Sequence, residues 1–239
     1  MAGMVPSRRL RSTPFSKGVE IAGAKAYTIY NHMFLASYFE SYEADYRHLK
    51  NYVQIWDVSV QRQVSIKGPD AIRLMRQISP RNIDNMADDQ CYYMPVCDHN
   101  GGMLNDPVAI KISNDHYWLS LADGDLLQWV LGLAVGQGMD VEIIEPDVYP
   151  LAVQGPRSDD LLELVFGREI RKIQFFRYKI FPFMDTSFLI ARSGWSKQSG
   201  FEIYVDDREY GMEIWNCLLK VGEKLNVRVG CPNLIERIE

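Results

Sequence analysis

The chain has 239 residues, and its 26 Lys and Arg against 31 Asp and Glu give a formal net charge of −5. Apolar residues make up 47% and charged residues 24%, which is the usual composition of a globular protein and excludes a disordered, collagen-like or disulfide-scaffold chain. The acidic balance argues against nucleic-acid binding, which needs a basic excess to neutralise phosphates.

The cysteines and histidines predict no metal site. The four cysteines form no C-x-x-C pair and the four histidines no H-x-x-x-H or H-x-H pair, whereas zinc sites use close pairs of ligands. The most apolar stretch, residues 126–135, is too short to cross a bilayer, and residues 1–15 lack the apolar core of a secretory signal. We therefore expect a cytoplasmic protein with reduced thiols and no membrane partner.

The first third of the chain predicts one long helix and a strand–helix pair. The opening segment, residues 1–15, is basic and irregular in pattern. Residues 34–52 place aromatic and aliphatic side chains at three- and four-residue steps, which predicts an amphipathic helix. Residues 63–68 alternate as a strand does, and residues 70–78 predict a short helix after Pro69.

From residue 91 the pattern becomes rich in β-structure. Residues 98–102 (DHNGG) form a hairpin signal, and residues 125–136 predict a helix. The predicted strands of this region are 91–96, 106–112, 116–122 and 141–145.

The last third alternates strands and helices. Helices are predicted at residues 158–166, with Ser158 as the N-cap, and at residues 210–221. The predicted strands are 149–154, 183–192, 201–205 and 228 onwards. Because strands and helices show no regular parallel rhythm, the sequence predicts an α+β fold with largely antiparallel sheets. We expect the chain to divide into two parts, residues 1–146 and 147–239.

Two polar loops contain the candidate site residues. In the first, Gly101 and Gly102 allow close backbone approach to a ligand, and Asp106 lies at the start of a strand; a solvated hairpin aspartate is the alternative. The second loop, residues 192–200 (RSGWSKQSG), leads into a strand where Glu202 and Tyr204 share one face. A buried Glu202 would need a partner, either a salt bridge or a heterocycle with two N–H donors.

Aromatic residues beside these loops could hold a cation. Trp195, Tyr93 and Tyr204 are the candidates for such a cage, through cation–π attraction. The sequence has no G-x-S-x-G, P-loop or G-x-G-x-x-G motif, so acyl transfer and nucleotide chemistry lose their usual support.

Five ordered segments resemble motifs of the folate-dependent aminomethyltransferase family, which includes the glycine cleavage T-protein. They are residues 56–59 (WDVS, resembling F-D-x-S), 68–71 (GPDA, G-x-D-A), 101–106 (GGMLND, G-G-x-x-D-D), 151–156 (LAVQGP, L-A-x-Q-G-P) and 200–203 (GFEI, G-[YF]-E-[IL]). Further runs at residues 88–93, 117–125, 192–198 and 230–237 are similar to the dimethylsulfoniopropionate demethylase branch of that family. Asn105 and the pair Ser196-Lys197 depart from the glycine cleavage pattern.

The resemblance implies a fold and a reaction. The fold would be of the aminomethyltransferase type, with the two parts interleaved and the chain ending before the family's C-terminal barrel. The implied enzyme is a tetrahydrofolate-dependent methyltransferase. It would move a methyl group from dimethylsulfoniopropionate to tetrahydrofolate and yield methylmercaptopropionate and 5-methyltetrahydrofolate. We expect the 239 residues alone to bind folate weakly and turn over poorly, and a homo-oligomer is compatible with the resemblance.

The resemblance also implies the roles of individual residues. Asp106 would align the reacting nitrogen as the catalytic residue. The folate-binding residues would be Glu202, Asp106, Tyr93 and Arg237, and the substrate-binding residues Trp195, Tyr204, Lys197 and Ser120. Within these, Lys197 would pair with the substrate carboxylate.

Three alternatives remain open from the sequence. An aminomethyltransferase of the glycine cleavage type and a folate-dependent demethylase of aromatic methoxy groups would use the same fold. A methoxyarene would need no cation site. A non-catalytic folate-binding protein is the third alternative, although the cysteine motif usual in that class is absent here.

Overall fold

The computed structural model describes residues 9–194 and 196–232. The helices within these ranges are α1 (Ser16–Ala22), α2 (Tyr42–Asn51), α3 (Ala71–Ile78), α4 (Leu126–Gly136), α5 (Ser158–Phe166) and α6 (Gly211–Val221). The strands are β1 (Ala26–Tyr30), β2 (Met33–Tyr38), β3 (Val53–Asp57), β4 (Arg62–Lys67), β5 (Cys91–Tyr93), β6 (Val96–Cys97), β7 (Met103–Asn105), β8 (Val108–Ser113), β9 (His116–Leu121), β10 (Glu142–Ile144), β11 (Tyr149–Gln154), β12 (Tyr178–Phe183), β13 (Thr186–Ala191), β14 (Gly200–Val205) and β15 (Val227–Gly230). None of the helices in the described part of the chain is both long and apolar enough to span a membrane.

Two large sheets form the body of the fold. The five-stranded sheet has the order β10-β4-β9-β8-β5, and every neighbouring pair in it is antiparallel. The six-stranded sheet has the order β12-β13-β14-β11-β3-β15, in which β15 and β3 are parallel and the other pairs antiparallel. The predicted α+β fold with largely antiparallel sheets is confirmed.

The six-stranded sheet takes its strands from two separate parts of the chain. Strand β3 enters it early, and β11 pairs with β3 only after the chain has completed the five-stranded sheet, with Leu151 opposite Asp57. The five-stranded unit is therefore inserted between two neighbouring strands of the other sheet. The division into 1–146 and 147–239 stays a prediction, and β3 lies in a sheet whose other strands all come from the second part.

Each sheet packs its own helices, and a third cluster joins the sheets. Helices α1, α5 and α6 cover the six-stranded sheet, where Phe15 stacks on Trp215 with ring centroids 5.8 Å apart. Helices α3 and α4 cover the five-stranded sheet. The joining cluster contains Cys91 and Ile110 from one sheet and Ala191 and Tyr204 from the other. The sheets therefore share one apolar interface in addition to their separate cores.

The predicted helix over residues 34–52 is correct only in its second half. Residues 33–38 form β2, where Leu35 pairs with Thr28 of β1. The helix begins at Tyr42 because the hydroxyl of Ser41 accepts a hydrogen bond from the Ala44 N–H at 3.1 Å. The aromatic spacing across this boundary imitates a helical period.

Two further predictions about elements need correction. Ser158 is the first residue of α5 rather than its N-cap; Arg157 occupies that position, and the Ser158 hydroxyl is buried without a hydrogen-bond partner in the described part of the chain. The predicted strand over residues 183–192 is the second strand of a hairpin. It begins at Thr186 after a turn at Met184, and its partner β12 was not predicted.

Strands β1 and β2 form a separate two-stranded hairpin, here called the arm. Its tip residue Asn31 has a positive φ of 44°. The side-chain amide of Asn31 donates to the Val60 carbonyl at 2.7 Å and the Ala122 carbonyl at 3.1 Å, and its oxygen accepts from the Gly124 N–H at 3.2 Å. The Asp123 carboxylate also accepts from the Asn31 N–H at 2.8 Å. These contacts fix the tip of the arm to the loops before β4 and after β9.

We expect Asn31→Ala to loosen the arm. Loss of three hydrogen bonds should lower the free energy of unfolding by about 2 kcal/mol, and Tm by about 4–8 °C. Asn226→Ala is the matched control, since Asn226 also has a positive φ, of 56°. Its side chain makes no hydrogen bond to any residue that the structure describes. Calorimetry and amide hydrogen exchange over residues 26–38 provide the measurement. Equal effects of the two substitutions would show that backbone strain alone matters at Asn31.

Candidate functional site

A cavity of about 380 Å³ lies where the arm, the two sheets and the loop before β14 meet. This volume is within the range of small-molecule sites, ~300–1,000 Å³. Its lining residues are Tyr30, Leu35, Val58, Val60, Gln61, Tyr93, Asp106, Val108, Ser120, Ala122, Phe176, Ser193, Gly194, Glu202 and Pro232. Four of the predicted site residues, Tyr93, Asp106, Ser120 and Glu202, are among them.

The register of the five-stranded sheet explains why three of these residues meet. Val108 on β8 lies opposite Tyr93 on β5 and also opposite Ser120 on β9. Residues directly opposite each other in an antiparallel pair project to the same face of the sheet. Tyr93, Val108 and Ser120 therefore form one row across three strands.

Glu202 comes from the other sheet and is buried, with 6% of its surface exposed. Its Oε2 accepts hydrogen bonds from the Ser193 hydroxyl at 2.5 Å and the Tyr204 hydroxyl at 3.3 Å. Burial raises the pKa of the Glu202 carboxyl, and these two hydrogen bonds oppose the increase. No hydrogen bond to Oε1 and no ion pair of Glu202 is found among residues 9–194 and 196–232.

Tyr204 lies behind Glu202 and does not line the cavity. It is 1% exposed, and its ring lies 6.2 Å from that of Trp118, centroid to centroid. Burial and the neighbouring Glu202 charge raise the pKa of Tyr204 well above its usual value, so the hydroxyl remains a hydrogen-bond donor at neutral pH. The predicted role of Tyr204 as an open aromatic face for a cation does not agree with this position.

Asp106 lies at the exposed side of the cavity. The Tyr93 hydroxyl donates to Asp106 Oδ2 at 2.8 Å, and this hydrogen bond is the main cause that raises the pKa of Tyr93. The Asp106 N–H bonds to Asn105 Oδ1 at 3.0 Å, and the Asn105 amide donates to the Asp123 carbonyl at 2.7 Å. Asn105 and Tyr93 thus fix both the backbone and the carboxylate of Asp106.

Gln154 organises the second predicted loop. Its buried amide donates to the carbonyls of Ser193 at 3.2 Å and Phe201 at 3.4 Å, and its oxygen accepts from the Ser196 hydroxyl at 2.6 Å. A Cβ on Gly194 or Gly200 would lie 2.3 Å from the Gln154 amide. The two glycines let both ends of the loop approach this side chain.

The remaining predicted site residues are not placed at the cavity. Lys197 is exposed, has a positive φ of 57° and does not line the cavity. Trp195 and Arg237 lie outside the described residues. Their predicted roles stay predictions.

Several lining residues were not predicted from the sequence. Tyr30 and Leu35 belong to the arm, which the helical interpretation of residues 34–52 concealed. Phe176 has a positive φ of 57°, held by hydrogen bonds from its N–H to the Arg192 carbonyl and from the Cys91 N–H to its own carbonyl. A non-glycine residue in this strained conformation at a cavity wall is typical of functional sites, but no sequence signal marks it.

The charge of the lining is acidic. Asp106 and Glu202 are carboxylic acids, and no Lys, Arg or His is present in the lining that the structure describes. The described residues also contain no group of three or more His, Cys, Asp or Glu side chains able to hold a metal ion. The arrangement can bind a ligand that carries N–H donors and a cationic centre.

Comparison with known proteins yields one family model and several relatives. The model of the GCVT N-terminal domain matches residues 16–239. The chain is 65% identical over 239 residues to the dimethylsulfoniopropionate demethylase DmdA of Ruegeria pomeroyi, covering 100% of this chain and 66% of that protein. It is 26% identical over 194 residues to an aminomethyltransferase of Caldanaerobacter subterraneus subsp. tengcongensis, covering 80% of this chain and 52% of the relative.

A solved structure shows the same fold. The glycine cleavage system aminomethyltransferase T from Bartonella henselae superposes with a TM-score of 0.80 at 21% identity, over 92% of this chain and 60% of that chain. The predicted aminomethyltransferase-type fold is confirmed. The chain spans about two thirds or less of the length of these proteins, and of the aminomethyltransferase relative about half.

Proposed function

Since the chain belongs to the family of the GCVT N-terminal domain, we propose that it is the folate-binding part of a tetrahydrofolate-dependent methyltransferase. The proposed methyl donor is dimethylsulfoniopropionate, and the products are methylmercaptopropionate and 5-methyltetrahydrofolate. The 65% identity to DmdA over the whole chain supports this choice of donor. A cytoplasmic location and self-association stay predictions.

The observation that carries the proposal is the half-satisfied carboxylate of Glu202. A buried carboxylate without an ion pair is costly unless hydrogen bonds compensate it. The described protein donors reach only Oε2, whereas Glu202 lines the cavity. A heterocycle with N–H groups, such as the pterin ring, fits the acceptor that remains. When bound, tetrahydrofolate would supply the nitrogen that accepts the methyl group.

The acidic lining favours a cationic donor over a neutral one. A sulfonium carries its positive charge next to the transferable methyl group, and the carboxylates of Asp106 and Glu202 would attract it. Phe176 and Tyr30 add aromatic surface to the same wall. A neutral methoxyarene gains nothing from these charges.

The residues of this chain would act by position and charge rather than as nucleophiles. A sulfonium is a good leaving group: the carbon–sulfur bond breaks with its electron pair on sulfur, and a carbon–nitrogen bond forms. Glu202 would orient the acceptor. Asp106 would hold the proton that the nitrogen releases, and Tyr93 keeps the Asp106 carboxylate in place.

Asn105 favours a demethylase over an aminomethyltransferase of the glycine cleavage type. The resemblance gives a second aspartate at this position in the glycine cleavage proteins. In this chain the Asn105 amide donates to the Asp123 carbonyl at 2.7 Å, a bond that an ionised aspartate cannot donate. The loop that precedes Asp106 is therefore held in a way specific to asparagine.

A coupled assay tests the proposal. The chain is incubated with tetrahydrofolate and dimethylsulfoniopropionate, and 5-methyltetrahydrofolate is measured by chromatography. We expect tetrahydrofolate-dependent product, and none when dimethylsulfoniopropionate is replaced by a methoxyarene. Tetrahydrofolate binding without product from the sulfonium would reject the proposed donor. Absence of both binding and product would reject the proposed function for these residues.

A further inference from the structure

The carboxylate of Glu202 is held from one side only. Both described hydrogen bonds, from Ser193 and Tyr204, end on Oε2. The flanking residues on the neighbouring strands, Ala152 and Ala191, have no polar side chains. The orientation of the carboxylate therefore depends on two hydroxyl groups.

The two hydroxyl groups differ in how they are fixed. Tyr204 is on the same strand as Glu202 and is locked by the joining cluster between the sheets. Ser193 is in the loop before β14, and its hydroxyl is the nearer donor, at 2.5 Å against 3.3 Å. A donor that depends on a loop is effective only if the loop has one conformation.

Hydrogen bonds to Gln154 hold the loop in the conformation that places Ser193 against Glu202. The Gln154 amide bonds the Ser193 carbonyl directly, and the Ser196 hydroxyl bonds back to Gln154. All three side chains are buried, with at most 4% of their surface exposed. A chain of contacts thus runs from β11 through Gln154 and Ser193 to Glu202.

We propose that Ser193 is a positioning residue that holds Oε2 of Glu202 and so directs Oε1 toward the ligand in the cavity. Gln154 acts one step further back by fixing Ser193. The identity of the ligand as tetrahydrofolate rests on the proposed function, whereas the geometry of the carboxylate does not.

The test compares Ser193→Ala with Ser193→Thr, each in the parent chain and with Glu202→Gln. The first reading is the Kd for tetrahydrofolate. We expect Ser193→Ala to weaken binding about tenfold and Ser193→Thr, which keeps a hydroxyl, to bind nearly as the parent does. With Glu202→Gln present, Ser193→Ala should add little, because the two side chains act as one unit. Ser187→Ala is the control, since Ser187 is exposed on β13 and does not line the cavity.

The second reading is the pKa of Glu202, followed by ¹³C NMR of the carboxyl carbons and assigned by comparison with Glu202→Gln. The groups that face Glu202 are Ser193, Tyr204, Cys91 on β5, and Asp106 and Tyr93 across the cavity. The Ser193 hydrogen bond lowers this pKa, so Ser193→Ala should raise it. Tetrahydrofolate binding should then weaken at a higher pH than in the parent, as the carboxylate protonates. The control Ser187→Ala should leave the pKa of Glu202 unchanged.

Two results would overturn the proposal: unchanged binding in Ser193→Ala, or the same loss in both backgrounds. If the parent chain binds no tetrahydrofolate, the proposed function fails, and NMR still decides the positioning role. An increase in the pKa of Glu202 in Ser193→Ala, but not in the control variant, supports the positioning role of Ser193. An unchanged pKa rejects it.

Discussion

Glu202→Gln should weaken tetrahydrofolate binding about 30- to 160-fold, because a hydrogen bond to a charged acceptor contributes roughly 2–3 kcal/mol. The substitution keeps the size of the side chain, removes the charge and replaces one acceptor oxygen with an NH₂ donor. Titration calorimetry or fluorescence gives the Kd. Glu213→Gln, at an exposed position of α6, is the matched control and should bind as the parent does. Equal affinity of Glu202→Gln and the parent would remove Glu202 from the binding site.

The same substitution should stabilise the protein without ligand. Burial raises the pKa of Glu202 in the folded state, so between the unfolded and folded pKa values the native state binds more protons than the unfolded state. Stability contributed by the protonated carboxyl is present at low pH and is lost as the pH rises through the folded pKa. Glu202→Gln should therefore have the higher Tm at neutral pH, and the difference should shrink in acid. A variant that binds tetrahydrofolate more weakly but has a higher Tm has lost binding without misfolding.

Asp106→Asn should lower turnover about 100-fold or more, the usual effect of removing a group that takes up a proton. The amide keeps an oxygen for the Tyr93 hydroxyl, which lies 2.8 Å from Asp106 Oδ2, but it cannot accept the proton that the nitrogen releases. We expect the Kd for tetrahydrofolate to change much less than the rate. Single-turnover measurement of 5-methyltetrahydrofolate formation separates the two quantities.

Tyr93→Phe and Asp140→Asn complete that experiment. Tyr93→Phe leaves the Asp106 carboxylate without its donor and should have an intermediate rate. Asp140→Asn changes an exposed carboxylate near Gly68, outside the cavity lining, and should not affect turnover. A parent-like rate in Asp106→Asn would contradict the catalytic role of Asp106.

Local patterns predicted the parts of the site that lie on regular strands. Alternation in the chain marked Glu202 on β14, and the family resemblance marked Ser120 on β9. Asp106, marked by the glycines before it, lies between β7 and β8. Cross-strand register then brought Ser120 next to Tyr93 through Val108. The predicted common face of Glu202 and Tyr204 is confirmed by the hydrogen bond between them. These contacts follow from strand geometry, which a sequence period of two encodes.

The parts that the sequence did not reveal depend on tertiary contacts. The strained backbone of Phe176 is held by Arg192 and Cys91, residues distant in the chain. The arm was hidden because its aromatic residues continue at helical spacing into α2, and only Ser41 marks the boundary. The bond from Ser193 to Glu202 requires a loop conformation that Gln154 imposes. None of these has a local composition signal.

The insertion of the five-stranded unit between β3 and β11 also has a consequence for how the chain folds. Leu151 can pair with Asp57 only after the intervening segment has become compact, since closing a loop costs more entropy as the loop lengthens. Within the unit, β8 and β9 form a local hairpin of the kind that forms fastest, whereas β4 pairs with β9 and β10, which lie much further along the chain. Because β3 directly precedes β4 and β11 directly follows β10, pairing of β4 with β10 brings β3 and β11 close together. We therefore expect β11 to pair with β3 after the inserted unit has closed.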